Sequence, residues 1–388
     1  MLIWGAMLVP LLTAVVLLVG FRHKTVWWEF TVPVVISFLF VLCSKACVET
    51  TQTWDTEYWG GVATKAEFYE AWNERVTCSH TKYCTRSVTR NGKSSTERYA
   101  CGKQHSYDVD NHGPVWQLLD SNGIVIALGS KEFESLAQRF GSRQFVELNR
   151  SYHTQDGNKY VATWDGNEAT LEPVFTEHSY ENRVQTSNSI FNFQEVAEAD
   201  RLSYRLFDYP ALKGHAQVSI LGEAGPTQAA AEALLAKANA KLGHEHQARI
   251  FILVFRNQPI QAGILQESYW KRGNKNELVI TLGVDELGKV QWAHVFSWTE
   301  VEELKIEIRD YVSGLAELNL VDVVKTVVPL VESKWERKHF ADFSYLTVEP
   351  PTWAVILTYL VTVFINLVLS LWIVHNQHQD HGMRTNDF

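Results

Sequence analysis

The chain has 388 residues, a formal net charge of −9 and a pI near 5.9. Charged residues make up 20% of it without a basic stripe, which excludes nucleic-acid binding by phosphate neutralisation. Hydrophobic residues make up 46%, and nine of the 14 Trp lie between residues 48 and 350, so that stretch is expected to hold packed cores.

Residues 2–21 carry no charge. At ~1.5 Å per residue such a segment spans a hydrocarbon core of ~30 Å, and Pro10 is tolerable there because neighbouring helices satisfy freed backbone groups. Residues 26–43 form a second candidate span, whose one charge, Glu29, stands beside Trp27 and Trp28 at the depth of an aromatic belt. Residues 353–374 form a third, uncharged and flanked by Trp353 and Trp372. The first segment lacks the basic region and cleavage site of a signal peptide. Three transmembrane helices are therefore expected, with Asn366 of the third placed to bond Thr13 or Ser37 of the others. Arg22 and Lys24 put the first short loop in the cytoplasm and the large domain outside, with the tail from His375 inside. Lys45, Lys334, Arg337 and Lys338 weigh the other way.

The region that follows reads as β-rich. Segments 83–90 and 94–101 flank Asn91-Gly92-Lys93, a hairpin signal. A loop at Asn91-Gly92 sets Arg86 opposite Glu97, whereas a loop at Gly92-Lys93 sets Cys84 opposite Cys101; both registers put the two Cys on one face. Residues 115–128 read as a second hairpin turning at Asn122-Gly123, with an apolar, buried second strand at 124–128. A helix follows with Ser130 as N-cap and Phe133, Leu136, Ala137 and Phe140 on one face, stopped by Gly141. Asp156-Gly157 marks a turn between strands at 150–154 and 159–164.

After about residue 214 helices alternate with apolar strands. Helices are expected at 228–242 (stopped by Gly243), 259–270, from 299 to about 315, and 321–335; strands at 249–255, 278–282 and 290–298. Thr299-Glu300-Val301-Glu302 reads as a capping box. The alternation implies an α/β layer with a mostly parallel sheet. The expected organisation is a two-helix membrane hairpin at 1–47, a β-rich extracytoplasmic domain at 48–212, an α/β domain at 213–350, and a membrane helix with a polar tail at 351–388.

Cys78, His80, Cys84, Cys101 and His105 form the densest candidate site. In an oxidising compartment Cys84 and Cys101 can staple the hairpin, with Cys78 as a third disulfide candidate. In a reducing one the same five residues offer a tetrahedral zinc site, although Cys-x5-Cys and Cys-x3-His match no common zinc module. The disulfide is the preferred reading. Asp108, Asp110 and His112 offer ligands for a divalent metal or acid–base groups; the simpler alternative is a turn-rich loop before the strand at 115. His244-Glu245-His246 follows the expected helix end as a solvated cap. Gly222-Glu223-Ala224-Gly225 lacks the Lys-Ser/Thr of a phosphate loop, and no Gly-x-Ser-x-Gly elbow occurs.

Lys275-Asn276-Glu277-Leu278-Val279-Ile280-Thr281-Leu282-Gly283, Val290-Gln291-Trp292, Ser297-Trp298-Thr299 and Phe340-Ala341-Asp342-Phe343-Ser344-Tyr345-Leu346 resemble a group of uncharacterised membrane proteins of large tailed bacteriophages and bacteria. Asp55-Thr56-Glu57, Cys78-Ser79-His80 and His105-Ser106-Tyr107-Asp108-Val109-Asp110 are similar to the same group. The strand–helix order and the Asn-x-x-Val-Ile-x-Leu strand of residues 220–346 look like TPM domains, membrane-anchored α/β domains with phosphatase activity claimed for some. The resemblance implies a multi-pass protein of the bacterial inner membrane with a periplasmic domain. The function expected is a non-enzymatic envelope protein that binds a partner near the bilayer, either another envelope protein or a second copy, with no cofactor. The alternative is a metal-dependent, phosphatase-like hydrolase using zinc or another divalent metal at Asp108, Asp110 and His112.

Overall fold

The computed structural model describes residues 2–20, 27–90, 93–141, 143–147, 158–164, 172–187, 195–213, 215–223 and 225–384. The chain opens with a 3-10 turn, Leu2–Met7, leading into α1 (Leu8–Gly20), then α2 (Trp27–Thr53) and strands β1 (Trp54–Tyr69), β2 (Trp72–Arg90), β3 (Lys93–His112), β4 (Val115–Asp120) and β5 (Val125–Ala127). Next come α3 (Ser130–Phe140), β6 (Arg143–Glu147), β7 (Asn158–Thr163), β8 (Pro173–Glu181), α4 (Arg183–Thr186) and α5 (Glu198–Ser203). The rest is β9 (Ile220–Leu221), α6 (Gln228–His246), β10 (Arg249–Arg256), α7 (Gln261–Tyr269), β11 (Glu277–Val284), β12 (Val290–Ser297), α8 (Glu302–Ser313), α9 (Leu320–Lys334) and α10 (Thr352–Arg384). The chain divides into two units, Met1–Glu57 with His178–Val196 and Lys338–Phe388, and Tyr58–Glu177 with Ala197–Arg337. These boundaries differ from the sequence segments, because pieces distant in the chain close each unit.

The first unit joins the apolar helices to a polar collar. Two helices, Thr31–Thr53 and Thr352–Ile373, are long and apolar enough to cross a membrane, and Ile3–Val19 is a shorter apolar helix. Their outer surfaces carry Leu11, Val16, Leu39, Leu360 and Phe364, all exposed, while Ser37, Thr362 and Asn366 are fully buried between them. Asn366 Nδ2 donates to Ser37 Oγ at 2.8 Å, and Thr13 Oγ1 donates to Asn366 Oδ1 at 3.3 Å, so the expected amide contact reaches both other helices. α2 runs well past residue 43 because its last turns belong to the collar. There Asp55 Oδ2 accepts from Tyr180 Oη (3.0 Å), Asn182 Nδ2 (2.8 Å) and Gln185 Nε2 (2.8 Å). Tyr180 also packs edge-on against Phe340, and Phe340 against Phe343. α10 continues to Arg384, so the segment expected as a polar tail begins as helix.

The second unit contains two layered assemblies. In one, the antiparallel sheet β5-β4-β1-β7-β6, with β8 also paired to β1, is covered by α3. Phe133, Leu136, Ala137 and Phe140 are buried as their spacing requires, against Ala63, Ala66, Leu118 and Ala162. The helix starts one residue earlier than expected: Gly129 is its N-cap, and its N–H is taken by the Glu132 carboxylate at 3.1 Å. β5 is not the buried strand anticipated. It lies at the sheet edge, and Val125 is 56% exposed. The turn at Asp156-Gly157 and the strand at 150–154 lie outside the described residues.

In the other assembly the sheet runs β12-β11-β10-β9, with β9, β10 and β11 parallel and β12 antiparallel. β10 and β11 are buried on both faces, which explains their unbroken apolar runs. Ile250, Ile252, Val254, Leu278, Ile280 and Leu282 share one core with residues of α6, α8 and α9. On the opposite face Phe251 meets Trp270 and Phe255 meets Phe207, at 5.5 and 4.9 Å between ring centroids. The buried Asn239 side chain stands in for a missing strand neighbour: Oδ1 accepts from Ile250 N at 2.8 Å and Nδ2 donates to Ile250 O at 2.9 Å.

Two helix boundaries differ from expectation for identifiable reasons. Gly243 does not stop α6, which continues to His246 and is capped by Gln247 at φ 50°. Gly243 is instead where the helix touches strand β1: a Cβ there would stand 2.4 Å from the Gly60 backbone nitrogen and oxygen. His244 and His246 therefore lie in the last helical turn, and His244 Nδ1 is 3.0 Å from Asn122 Oδ1. The capping box at Thr299 does not form. Thr299 Oγ1 donates to Glu336 O at 2.9 Å, in a β-bridge to Arg337, and the helix begins only at Glu302.

Candidate functional site

Strands β2 and β3 form a two-stranded sheet that pairs with no other strand among the described residues. Its register sets Arg86 opposite Glu97 and Arg90 opposite Lys93, the arrangement of an Asn91-Gly92 loop, although Asn91 and Gly92 themselves lie outside the described residues. The register shifts between Lys82 and Tyr83: Tyr83 pairs with Ala100 and Lys82 with Gly102, so Cys101 is an extra residue on its strand. Gly102 follows at φ 140°, a conformation that favours glycine and lets the bulge form. The bulge brings Cys101 beside Cys84, and the two form a disulfide with Cα atoms 5.6 Å apart.

An isolated two-stranded ribbon is marginal in water, so the staple and the cross-strand pairs carry its stability. Arg86 grips Glu97 through Nε (3.1 Å) and Nη2 (3.0 Å) and lies 5.3 Å from the Tyr99 ring centroid. On the other face Arg98 lies 4.4 Å from the Tyr83 ring centroid. Tyr83 is 54% and Tyr99 40% exposed. Both faces of this half of the ribbon thus present Tyr–Arg pairs to solvent, and neither strand pairs with a further strand among the described residues. Tyr and Arg are the residue types that concentrate binding energy at protein interfaces, and unpaired edges accept another strand.

The disulfide commits Cys84 and Cys101, which removes two thiolates from the five-residue zinc alternative. Cys78 pairs through its backbone with Ser106, His105 with Ser79, and His80 with Gln104; the side chains of Cys78, His80 and His105 lie outside the described ones. Cys43 and Cys47, on α2, are free thiols. Asp108, Asp110 and His112 are not in a turn-rich loop. They occupy alternate positions on β3, opposite Val76, Glu74 and Trp72, because the strand continues to His112 without a break in pairing. His112 stacks on Trp72 at 4.7 Å; the Asp108 and Asp110 side chains lie outside the described ones. Among the described residues no group of three or more His, Cys, Asp or Glu is placed to hold a metal ion.

Two polar sites were not singled out from the sequence. At the N-terminal ends of β10 and β11, Arg249 is fully buried between the rings of Phe251 (4.4 Å) and Phe175 (4.6 Å), and its Nη1 donates to Gln217 Oε1. Nearby, Glu277 accepts from Tyr209 Oη and from Asn274 N at 2.9 Å. Burial pushes the Glu277 carboxyl up and the Arg249 guanidinium down from their ordinary values, and burial also raises the Tyr209 phenol. The one sequence trace is a charge heading each apolar strand. Ligands of parallel sheets gather at the opposite, carboxyl ends. There a cleft of about 190 Å³ is lined by Gly225, Pro226, Arg256, Val284 and Glu286, among others. Arg256 donates to the carbonyls of Glu286 (3.2 Å) and Glu223 (3.3 Å), so its guanidinium is already spent tying loops together.

Comparison with family models, curated proteins and solved structures gives no match to this chain.

Proposed function

We propose that this chain is a multi-pass membrane protein without catalytic activity, whose extracytoplasmic ribbon binds a protein partner close to the bilayer. The reading of the anchor is supported by helices whose exposed faces are apolar while Ser37, Thr362 and Asn366 are buried between them. The first segment serves as a third span. Its 3-10 turn of six residues rises ~2.0 Å per residue and α1 adds thirteen at ~1.5 Å, about 30 Å in all. The disulfide supports an oxidising compartment for the domain, and together with the resemblance to membrane proteins of tailed bacteriophages and bacteria it supports a periplasmic placement.

The observation that carries the reading is the ribbon itself: paired with no other sheet among the described residues, stapled, and bearing exposed Tyr–Arg pairs on both faces. The partner is an envelope protein, or a second copy of the chain. A photo-crosslinking amino acid at Thr85, compared with one at Glu303 on α8, tests this in intact cells. A discrete envelope-protein adduct from position 85 alone, lost in the Cys84→Ser/Cys101→Ser variant, is the expected result. An adduct of twice the chain's own mass identifies self-association. The same adducts from both positions, or none from the ribbon, overturn the assignment.

A further inference from the structure

Beside the end of α2, in the collar unit, lies a cleft of about 270 Å³, walled by Glu49, Thr50, Thr53, Trp54, Glu181 and Arg183 among others. That volume suits one small polar group and not a drug-sized ligand. We propose that the cleft is a head-group site for a zwitterionic phospholipid whose cation is a primary ammonium. The proposal rests on the membrane-anchored reading above and adds the lipid chemistry to it.

The first argument is depth. The segment at α4 holds both the end of α2 and the approach to α10: Asn182 N donates to Thr53 O at 2.6 Å, and Arg183 Nη1 donates to Leu346 O at 3.2 Å. The two helices therefore run antiparallel from the collar to the Asn366–Ser37 contact. Thr50 lies 13 residues after Ser37 and Trp353 lies 13 residues before Asn366. Both are thus about 20 Å from that contact along their helices. The cleft stands level with Trp353, which is 66% exposed, and beside Trp54, which is 59% exposed. Exposed Trp at the ends of apolar spans marks the head-group layer.

The second argument is chemistry. Arg183 is held edge-on, Nε donating to Glu181 Oε1 at 2.7 Å, and among the described residues its Nη2 makes no hydrogen bond. With Nε and Nη1 engaged, it offers one fixed charged donor, Nη2, for a single phosphate oxygen. The remaining polar wall is acceptor-rich. Thr50 and Thr53 donate their hydroxyl protons back to Ala46 O (2.8 Å) and Glu49 O (2.9 Å), so they offer only lone pairs to the cleft. Glu49 binds Lys45 and Glu181 binds Arg183, each through Oε1, which leaves the Oε2 of each carboxylate. Two carboxylates and two hydroxyl oxygens match an ammonium with three N–H donors. A quaternary ammonium has no proton to give them. An anionic head group without a cation would set its charge against both carboxylates.

The test uses the full chain in nanodiscs containing equal parts of phosphatidylethanolamine, phosphatidylcholine and phosphatidylglycerol, with bound lipid counted by native mass spectrometry. The wild type is expected to retain phosphatidylethanolamine about tenfold over either other lipid, the size of one charge-assisted hydrogen bond. In the Glu49→Gln/Glu181→Gln variant that excess is expected to fall to parity. Equal retention of all three lipids by the wild type, or an excess unchanged in the variant, overturns the proposal. Carbonate extraction of cell membranes separates the two claims. A chain that stays in the membrane but shows no lipid preference defeats only the head-group site, whereas a chain released by carbonate defeats the anchor and the site together.

Discussion

Asn366 donates its side-chain amide to Ser37 Oγ at 2.8 Å, and both residues are fully buried between apolar helices. The same amide donates to Thr362 O at 2.8 Å within its own helix, and its oxygen accepts from Thr13. One residue therefore satisfies itself locally while bridging α10 to α2 and α1. Replacing it with Leu removes both bridges but keeps the helix. Measured transmembrane hydrogen bonds of this kind contribute about 0.6 kcal/mol on average and rarely much more than 1.5, so Asn366→Leu should weaken the bundle by about 1 kcal/mol. Unfolding in detergent measures this; an unchanged midpoint would show that the contacts do not hold the helices together.

The Cys84–Cys101 staple closes a stretch with a sequence separation of 17. The chain-entropy relation assigns such a loop about 3 kcal/mol. That stabilisation belongs to the ribbon alone, which among the described residues shares no strand with either other sheet. Reduction should therefore leave the main thermal transition in place while amide protection falls across residues 81–88 and 96–102. Hydrogen exchange followed by mass spectrometry distinguishes this from a global loss.

Glu67, on β1, is ringed by donors: Lys65 at 2.6 Å, Lys159 at 2.9 Å, Gln117 at 2.7 Å and Tyr69 at 3.0 Å. Burial pushes its carboxyl up, but the bonds from Lys65, Lys159, Gln117 and Tyr69 outweigh it and hold the pKa at about 2, below the ordinary 4.5. A depressed carboxylate contributes stability above its unfolded pKa and loses it as pH falls through the folded one. The loss should therefore run from pH 4.5 down to about 2. Allowing for residual screening by water, it is on the order of 2 kcal/mol. Urea denaturation across that range should be steeper for the wild type than for Glu67→Gln, which lacks the titration.

Gly243 and Gly60 bring α6 and β1 into backbone contact. A Cβ on Gly243 would sit 2.4 Å from two backbone atoms of Gly60, neither of which has a flexible side chain to move aside. Gly243→Ala should cost about 3 kcal/mol, at the upper end of overpacking, despite the better helix propensity of Ala. Gly113→Ala, where an added Cβ meets nothing within 4 Å, is the matched control. Equal melting temperatures for the two variants would rule out the close approach.

Much of the fold was legible because local pattern and burial agree. Phe133, Leu136, Ala137 and Phe140 fall on one face by helical spacing alone, and β10 and β11 read as buried strands because both of their faces are covered. The hairpin at Asn91-Gly92-Lys93 was legible with two registers open, and the structure takes the one that sets Arg86 opposite Glu97. Asn366 stood out because an amide in an apolar span needs partners.

Other features had no local signature. Gly243 looked like a helix stop because glycine serves both as a terminator and as a point of close contact; only the presence of Gly60 decides between them. Thr299 formed no capping box because residues 336 and 337 claimed its hydroxyl and backbone first. Asn239 gives no sign in sequence that its amide stands in for a strand neighbour of Ile250, nor does Arg183 that it joins Glu49 and Trp54 around one cleft. By itself, then, the sequence determined the buried face of α3, the buried strands β10 and β11 and the residues fit to bridge the apolar helices, since those depend on periodicity and short-range chemistry. The tertiary structure decided which glycine is a contact, which Cys pair meets across a bulge and which charges gather in a cleft, because each depends on atoms brought together from distant parts of the chain.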